Sequence, residues 1–231
     1  MEVVSDLPSV CAERLARGEV DAGLIPSIEY QRIPGLRVVA GLGIAAASEI
    51  RSVLLVSRVS RERIRSVSLD PASRTSAALT RILLKRSYGL SPRYTEGGPG
   101  GSPETDASLI IGDPALKARL NGQVVLDLAA EWRAFSGHPF VFALWAVREG
   151  VDAARIDGLL RGSREAARLH FDRLVAEGAS DTGLSEAVVR DYLLHALHFE
   201  LADGDLVGLD LFYRLAAEDG LIPRAEPLRF L

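Results

Sequence analysis

The sequence predicts a two-lobed α/β protein with mainly parallel sheets, a ligand cleft between the lobes and a closing run of helices. Three features carry that expectation. Short, β-branched apolar runs alternate with single helices through residue 147, the rhythm of strands covered on both faces by crossover helices. Beyond it the pattern is helical only, as when a chain leaves one lobe, builds a second and returns to cover the first. Asp21-Ala22-Gly23-Leu24-Ile25 also echoes Asp106-Ala107-Ser108-Leu109-Ile110, each followed by a proline, Pro26 or Pro114. Two similar lobes would place these segments in corresponding strands; five residues are also within the reach of chance. The expected boundaries are residues 1–50 and 148–231 for lobe 1 and residues 51–147 for lobe 2.

Asp6 is a good cap for a helix over residues 8–17 that Gly18 stops, and residues 20–26 read as a buried strand. Residues 36–42, 53–56 and 66–69 are further strands, and a helix over 75–86 ends at Gly89. Residues 108–111 and 140–147 complete the strands, before helices over 154–160, 163–177, 185–201 and 208–218. Gly97-Gly98-Pro99-Gly100-Gly101 lacks the lysine and hydroxyl of a phosphate loop and reads as a solvent-facing loop.

The 231 residues are 48% hydrophobic and 25% charged, with a formal net charge of −4, the composition of an ordinary globular protein. No stretch concentrates Lys and Arg with aromatics, so nucleic acid is not an expected partner. No apolar run approaches the roughly 20 residues that span a bilayer, so no membrane association is expected. Met1 is followed by Glu2 and Asp6 rather than by a basic and apolar leader, which points to a cytoplasmic protein. The single cysteine, Cys11, reads as a small buried hydrophobe of the first helix.

Ligands of open α/β sheets gather at the carboxyl ends of strands, where Ser27, Asp70 and Asp113 fall. The richest such place is Asp70-Pro71-Ala72-Ser73-Arg74-Thr75-Ser76, which joins a strand to a helix through hydroxyls and a fixed positive charge. The N–H groups of the helix's first turn, its dipole and Ser73, Thr75 and Ser76 would match a carboxylate. In the alternative reading Ser73 only caps the helix and Arg74 pairs with Asp70. His138, before Pro139, is a candidate acid or base in a loop between the lobes, or a turn residue. His195 and His198, three apart on a predicted helix, lack a third ligand of recognisable spacing, so no metal is expected. Trp132, Phe135, Phe140, Phe142 and Trp145 suggest an apolar interlobe surface.

Five motifs, in order, resemble the chorismate dehydratases of the futalosine route to menaquinone. They are Val20-Asp21-Ala22-Gly23-Leu24-Ile25-Pro26, Arg51-Ser52-Val53-Leu54-Leu55-Val56-Ser57, Ser73-Arg74-Thr75-Ser76, Ile111-Gly112-Asp113-Pro114-Ala115-Leu116 and Pro139-Phe140-Val141-Phe142-Ala143. The resemblance spans nearly the whole chain. It implies the type II periplasmic-binding-protein fold and removal of water from chorismate, a small-molecule substrate, to give 3-[(1-carboxyvinyl)oxy]benzoate without a cofactor. Carried over position by position, it implies that Ser52, Thr75 and Ser76 contact substrate carboxylates and that Asp113 lies at the cleft edge. Members ordinarily open with a strand ending in Ser-Tyr-Leu-Asn, whose asparagine belongs to the active site. Here residues 2–5 precede the first helix, so the expectation is a first lobe short of that strand; a truncated sequence, a misplaced start and a naturally shortened homologue all fit, the last with impaired catalysis and an exposed sheet edge. The rival readings are the sister enzyme 1,4-dihydroxy-6-naphthoate synthase, with His138 as the cleft histidine, and a non-catalytic organic-acid binding protein.

Overall fold

The computed structural model describes residues 2–98 and 100–231. Pro99, in the glycine-rich segment expected to be a loop, lies outside the described residues. Around it, Gly98 and Gly100 are exposed, but Gly97 and Gly101 are half-buried where a Cβ would collide with Ser68 and Ser108. Glycine there lets the segment lie against the sheet, a close approach rather than a purely solvent-facing role.

The strands are β1 (Ala22–Pro26), β2 (Leu36–Ala46), β3 (Val53–Ser57), β4 (Ser66–Leu69), β5 (Arg93–Glu96), β6 (Ala107–Ile111), β7 (Val124–Asp127), β8 (Phe140–Arg148) and β9 (His198–Glu200). The helices are α1 (Pro8–Ala16), α2 (Arg74–Arg86), α3 (Asp113–Lys117), α4 (Leu128–Ser136), α5 (Ala153–Leu169), α6 (Phe171–Thr182), α7 (Glu186–Asp191) and α8 (Asp203–Glu218). Two sheets result, one ordered β1-β8-β2-β9 and the other β5-β4-β6-β3-β7.

The expectation of mainly parallel sheets is corrected. Among the described residues, every strand pairing of the first sheet is antiparallel, as are β3–β6 and β3–β7, while the strand pairs β4–β5 and β4–β6 are parallel. The misreading has a physical cause. All five residues of β3 are buried, which in sequence looks like a central parallel strand, yet apolar runs report covered faces and not the direction of the neighbours. The boundary at residue 147 moves too, because β8 pairs with β1 and β2 in the first sheet. Residues 185–201 are not one helix. α7 passes into a π-helical turn over Tyr192–Ala196, and β9 then adds to the edge of β2. Residues 154–160 and 163–177 were expected as two helices; α5 runs unbroken across their junction.

The two echoed segments fall on β1 and β6, which have partly similar surroundings. β1 is antiparallel to β8, which is antiparallel to β2; β6 is antiparallel to β3, which is antiparallel to β7. The echoed residues therefore share an antiparallel neighbour of the same kind on one side, although β1 is an edge strand and β6 is central with β4 on its other side, and both strands lead to a polar residue beyond their carboxyl ends, Ser27 and Asp113.

The chain passes between the sheets twice, from β2 to β3 and back through α4. Asp127 joins the two passes. One carboxylate oxygen caps α4 by accepting from the N–H groups of Ala129 and Ala130, and the other accepts from those of Ile50 and Arg51, at 3.0 and 2.6 Å. Behind this crossing Trp132, Phe140 and Phe212 pack edge to face, with centroids 5.0–6.1 Å apart. Phe135 and Phe142 join this cluster, whereas Trp145 packs in a separate patch with Val39, Leu42 and Val147.

α2 belongs to the second sheet yet is tied to the first lobe at both ends. At its start Arg74 pairs with the buried Glu29, at 2.9 Å, and with Glu13; at its end Lys85 and Arg86 pair with Asp219, Arg86 at 2.7 Å. Burial alone would raise the Asp219 pKa, but hydrogen bonds from Arg86 and Lys85 outweigh it and hold the carboxyl below its ordinary value. A depressed carboxyl stabilises the fold above the unfolded pKa of about 3.9 and loses that contribution as pH falls through the folded value. Urea midpoints measured from pH 6 to pH 3 should therefore fall less steeply for Asp219→Asn than for the unaltered chain; identical slopes would remove Asp219 from the account.

Candidate functional site

The carboxyl ends of β4, β5 and β6 and the amino end of the antiparallel β3 lie on one edge of the second sheet. That edge gathers Asp70 and the start of α2, then Gly112 and Asp113, then Ser52. β4 and β3 are separated by β6 alone, so their ends stand about two strand spacings apart, roughly 10 Å. Gly112 extends the ladder by donating its N–H to the Ser52 carbonyl at 2.7 Å, and its φ of 70° allows the turn into α3.

Neither half of the modest alternative for α2 holds. Ser73 makes no side-chain cap, and Arg74 pairs with Glu29 and Glu13 rather than with Asp70. Asp70 instead folds its own turn, accepting from the N–H of Ala72 at 2.9 Å. An uncapped first turn leaves N–H donors unsatisfied by the helix, and their dipole favours an anion.

The hydroxyls of this turn differ in what they are already doing. Thr75 is buried, accepts from the N–H of Ile28 at 3.2 Å and lies 3.4 Å from Ser27 Oγ. Ser27 donates to the Val141 carbonyl at 2.8 Å, so its single proton is committed and Thr75 is the donor in their longer contact. Thr75 is thus an interlobe tie whose proton can be redirected to a ligand only by releasing Ser27. Ser76 is also buried, but its hydroxyl bonds to no described residue; only its carbonyl is engaged, by Thr80.

Ser52, buried at the opposite end of the edge, shares a hydrogen bond of 2.7 Å with the Tyr192 hydroxyl. Asp113 is exposed at the first residue of α3. His138 follows the left-handed Gly137, donates its backbone N–H to Ser136 Oγ and lies against Gly208 of α8. It therefore stands at the amino end of β8, beside α8. His195 and His198 do not share a helix, since His195 lies in the π-helical turn and His198 in β9, where it bonds Asp205 at 2.7 Å. Among the described residues no group of three or more His, Cys, Asp or Glu is arranged to hold a metal ion, and no helix is long and apolar enough to cross a membrane. A cavity of about 490 Å³ opens on the β5 side of the edge, lined in part by Asp70, Arg74, Arg81 and Tyr94; Ser52, Ser76 and Asp113 do not line it.

Sequence reasoning missed Asp127 and Tyr192. Asp127 had a signal, an aspartate directly before a helical run; its second pair of partners at Ile50 and Arg51 had none. Burial raises the Asp127 pKa above its ordinary value despite four backbone N–H bonds. Asp127→Asn exchanges an acceptor oxygen for an NH2 group facing two donors. It should lower stability by about 2 kcal/mol, read from a chemical denaturation midpoint, while an unchanged midpoint would show that the carboxylate does not hold the crossing.

The profile of the menaquinone biosynthesis family matches residues 1–218. A chorismate dehydratase of Thermus thermophilus is 30% identical over 233 residues, 91% of this chain and 84% of that protein. Among solved structures, a protein of Archaeoglobus fulgidus superposes with a TM-score of 0.75 at 18% identity, covering 95% of this chain and 86% of its own. The periplasmic aliphatic sulphonate binding protein of Escherichia coli gives 0.65 at 19% identity, covering 99% and 82%. At those identities the two structures speak for the fold, which is that of a periplasmic binding protein.

Proposed function

The chain belongs to the menaquinone biosynthesis family, and from that membership we propose that it is a chorismate dehydratase, a hydro-lyase that removes water from chorismate to leave 3-[(1-carboxyvinyl)oxy]benzoate. The futalosine route belongs to the same reading and rests on the resemblance of the five ordered motifs, and a cytoplasmic location is part of the proposal. The observation that carries the site is the uncapped first turn of α2 with the unengaged Ser76 hydroxyl. Such a turn offers N–H donors, an O–H and a helix dipole to one carboxylate. Ser52, before β3 on the same edge of the sheet, serves the second. Asp113 is an acceptor and suits the ring hydroxyl of chorismate better than a carboxylate.

The reaction asks little of such a site. The ring of chorismate is a cyclohexadiene, and loss of its hydroxyl together with the proton on the neighbouring carbon makes the ring aromatic. The C–H electron pair becomes part of the ring, the C–O bond breaks, and hydroxide and proton depart as water. Holding both carboxylates fixes the geometry for that elimination, and a substrate carboxylate collects the proton.

Incubation of the purified chain with chorismate, followed by absorbance and mass, should yield an aromatic product lighter by one water. Binding without conversion would replace the lyase by a binding role, and no binding would defeat the assignment. Ser76→Ala removes a ligand donor that holds nothing else, so KM for chorismate should rise about tenfold with the melting temperature unchanged. A normal KM would take Ser76 out of the site.

A further inference from the structure

We propose that Tyr192 is a positioning residue for the carboxylate site, setting the proton of Ser52 toward the ligand through the hydrogen bond between their hydroxyls. The proposal rests on the chorismate dehydratase reading. Ser52 Oγ and Tyr192 Oη are 2.7 Å apart, and neither oxygen bonds another described residue. The pair owns two protons, of which one lies between the oxygens and one is left to donate. The phenol is the stronger acid of the two, so the favoured arrangement has Tyr192 donating to Ser52 Oγ, and Ser52 turning its own O–H outward. Burial, opposed by the Ser52 bond and reinforced by the nearby charge of Asp113, raises the Tyr192 pKa above its ordinary value, so the phenol keeps its proton.

The backbone around the pair carries two unusual conformations. Arg51, directly before Ser52, has a φ of 62°, the one described non-glycine residue in the left-handed region. Such a residue is held there against its preference. Two carboxylates hold it: Asp127 accepts its N–H, and Asp191 pairs with its guanidinium. Asp191 directly precedes Tyr192, which opens the π-helical turn. π-turns are rare and gather at functional sites. The side chains of Asp191 and Tyr192 thus grip Arg51 and Ser52 as adjacent pairs, fixing the serine from a segment more than a hundred residues away in sequence.

A double-mutant cycle on the full chain tests this, with KM, kcat and melting temperature measured for the unaltered protein, Ser52→Ala, Tyr192→Phe and the double variant. Phe keeps the ring and deletes only the hydroxyl. Each single variant should raise KM for chorismate about tenfold with kcat within about twofold. The double variant should be no worse than Ser52→Ala alone, because Tyr192 acts through Ser52. A normal KM for Tyr192→Phe, or a double variant near a hundredfold from additive effects, would overturn the proposal while leaving the enzyme's activity in place. If the unaltered chain neither binds nor converts chorismate, the functional reading fails first, and this proposal falls with it.

Discussion

One half-buried carboxylate, Asp127, holds the point where the chain crosses between its two sheets in both directions. It starts α4 through Ala129 and Ala130 and clamps Ile50 and Arg51 through their N–H groups. The position of Ser52 follows from that clamp, because Arg51 is held in a left-handed conformation immediately before it. A carboxylate is suited to the task, since its two oxygens can accept four bonds, whereas a neutral amide offers one acceptor oxygen. The desolvation that pushes its pKa upward is the penalty for putting a charge there.

The second constraint is α2, whose two ends are bound to the first lobe by ion pairs that engage buried acceptors, Glu29 and Asp219. A helix held at both ends presents its first turn in a fixed direction, which is the preorganisation a carboxylate site needs. Arg74 lies within this turn and is paired with Glu29 and Glu13 of the first lobe. The charge that made the segment look like an anion site in sequence is structural, and the donors left for a ligand are N–H and O–H groups. Such donors recognise a carboxylate at any pH where it is ionised, with no titrating partner of their own.

Much of this was legible in the sequence. The two lobes, the helix beginning beside Ser73 and the polar residues at strand ends all follow from period, caps and turn residues. The five-residue echo fell on two strands with partly similar surroundings, β1 at the edge of its sheet and β6 at the centre of the other. Strand direction was not legible, because β3 is buried along its whole length whichever way its neighbours run. Nor was the end of α7, where residues 192–200 keep an apolar pattern compatible with helix and yet turn into β9, an edge partner for β2 that only the fold supplies. Tyr192 gave no signal at all. Its partner is 140 residues distant, and a lone tyrosine in a helical pattern reads as packing. Thr75 was read as a ligand contact; its hydroxyl is also a tie between the lobes, a role that depends on Ile28 and Ser27 being brought to it.

The central claim is that the start of α2 and the segment at Ser52 form one face that binds both carboxylates of chorismate. Titrating the isotope-labelled chain with chorismate and following backbone amide resonances tests it directly. Saturable shifts with one shared affinity at the amides of Thr75, Ser76 and Ser52 are the predicted result. Shifts confined to other parts of the fold, or at only one of the two ends, would contradict it.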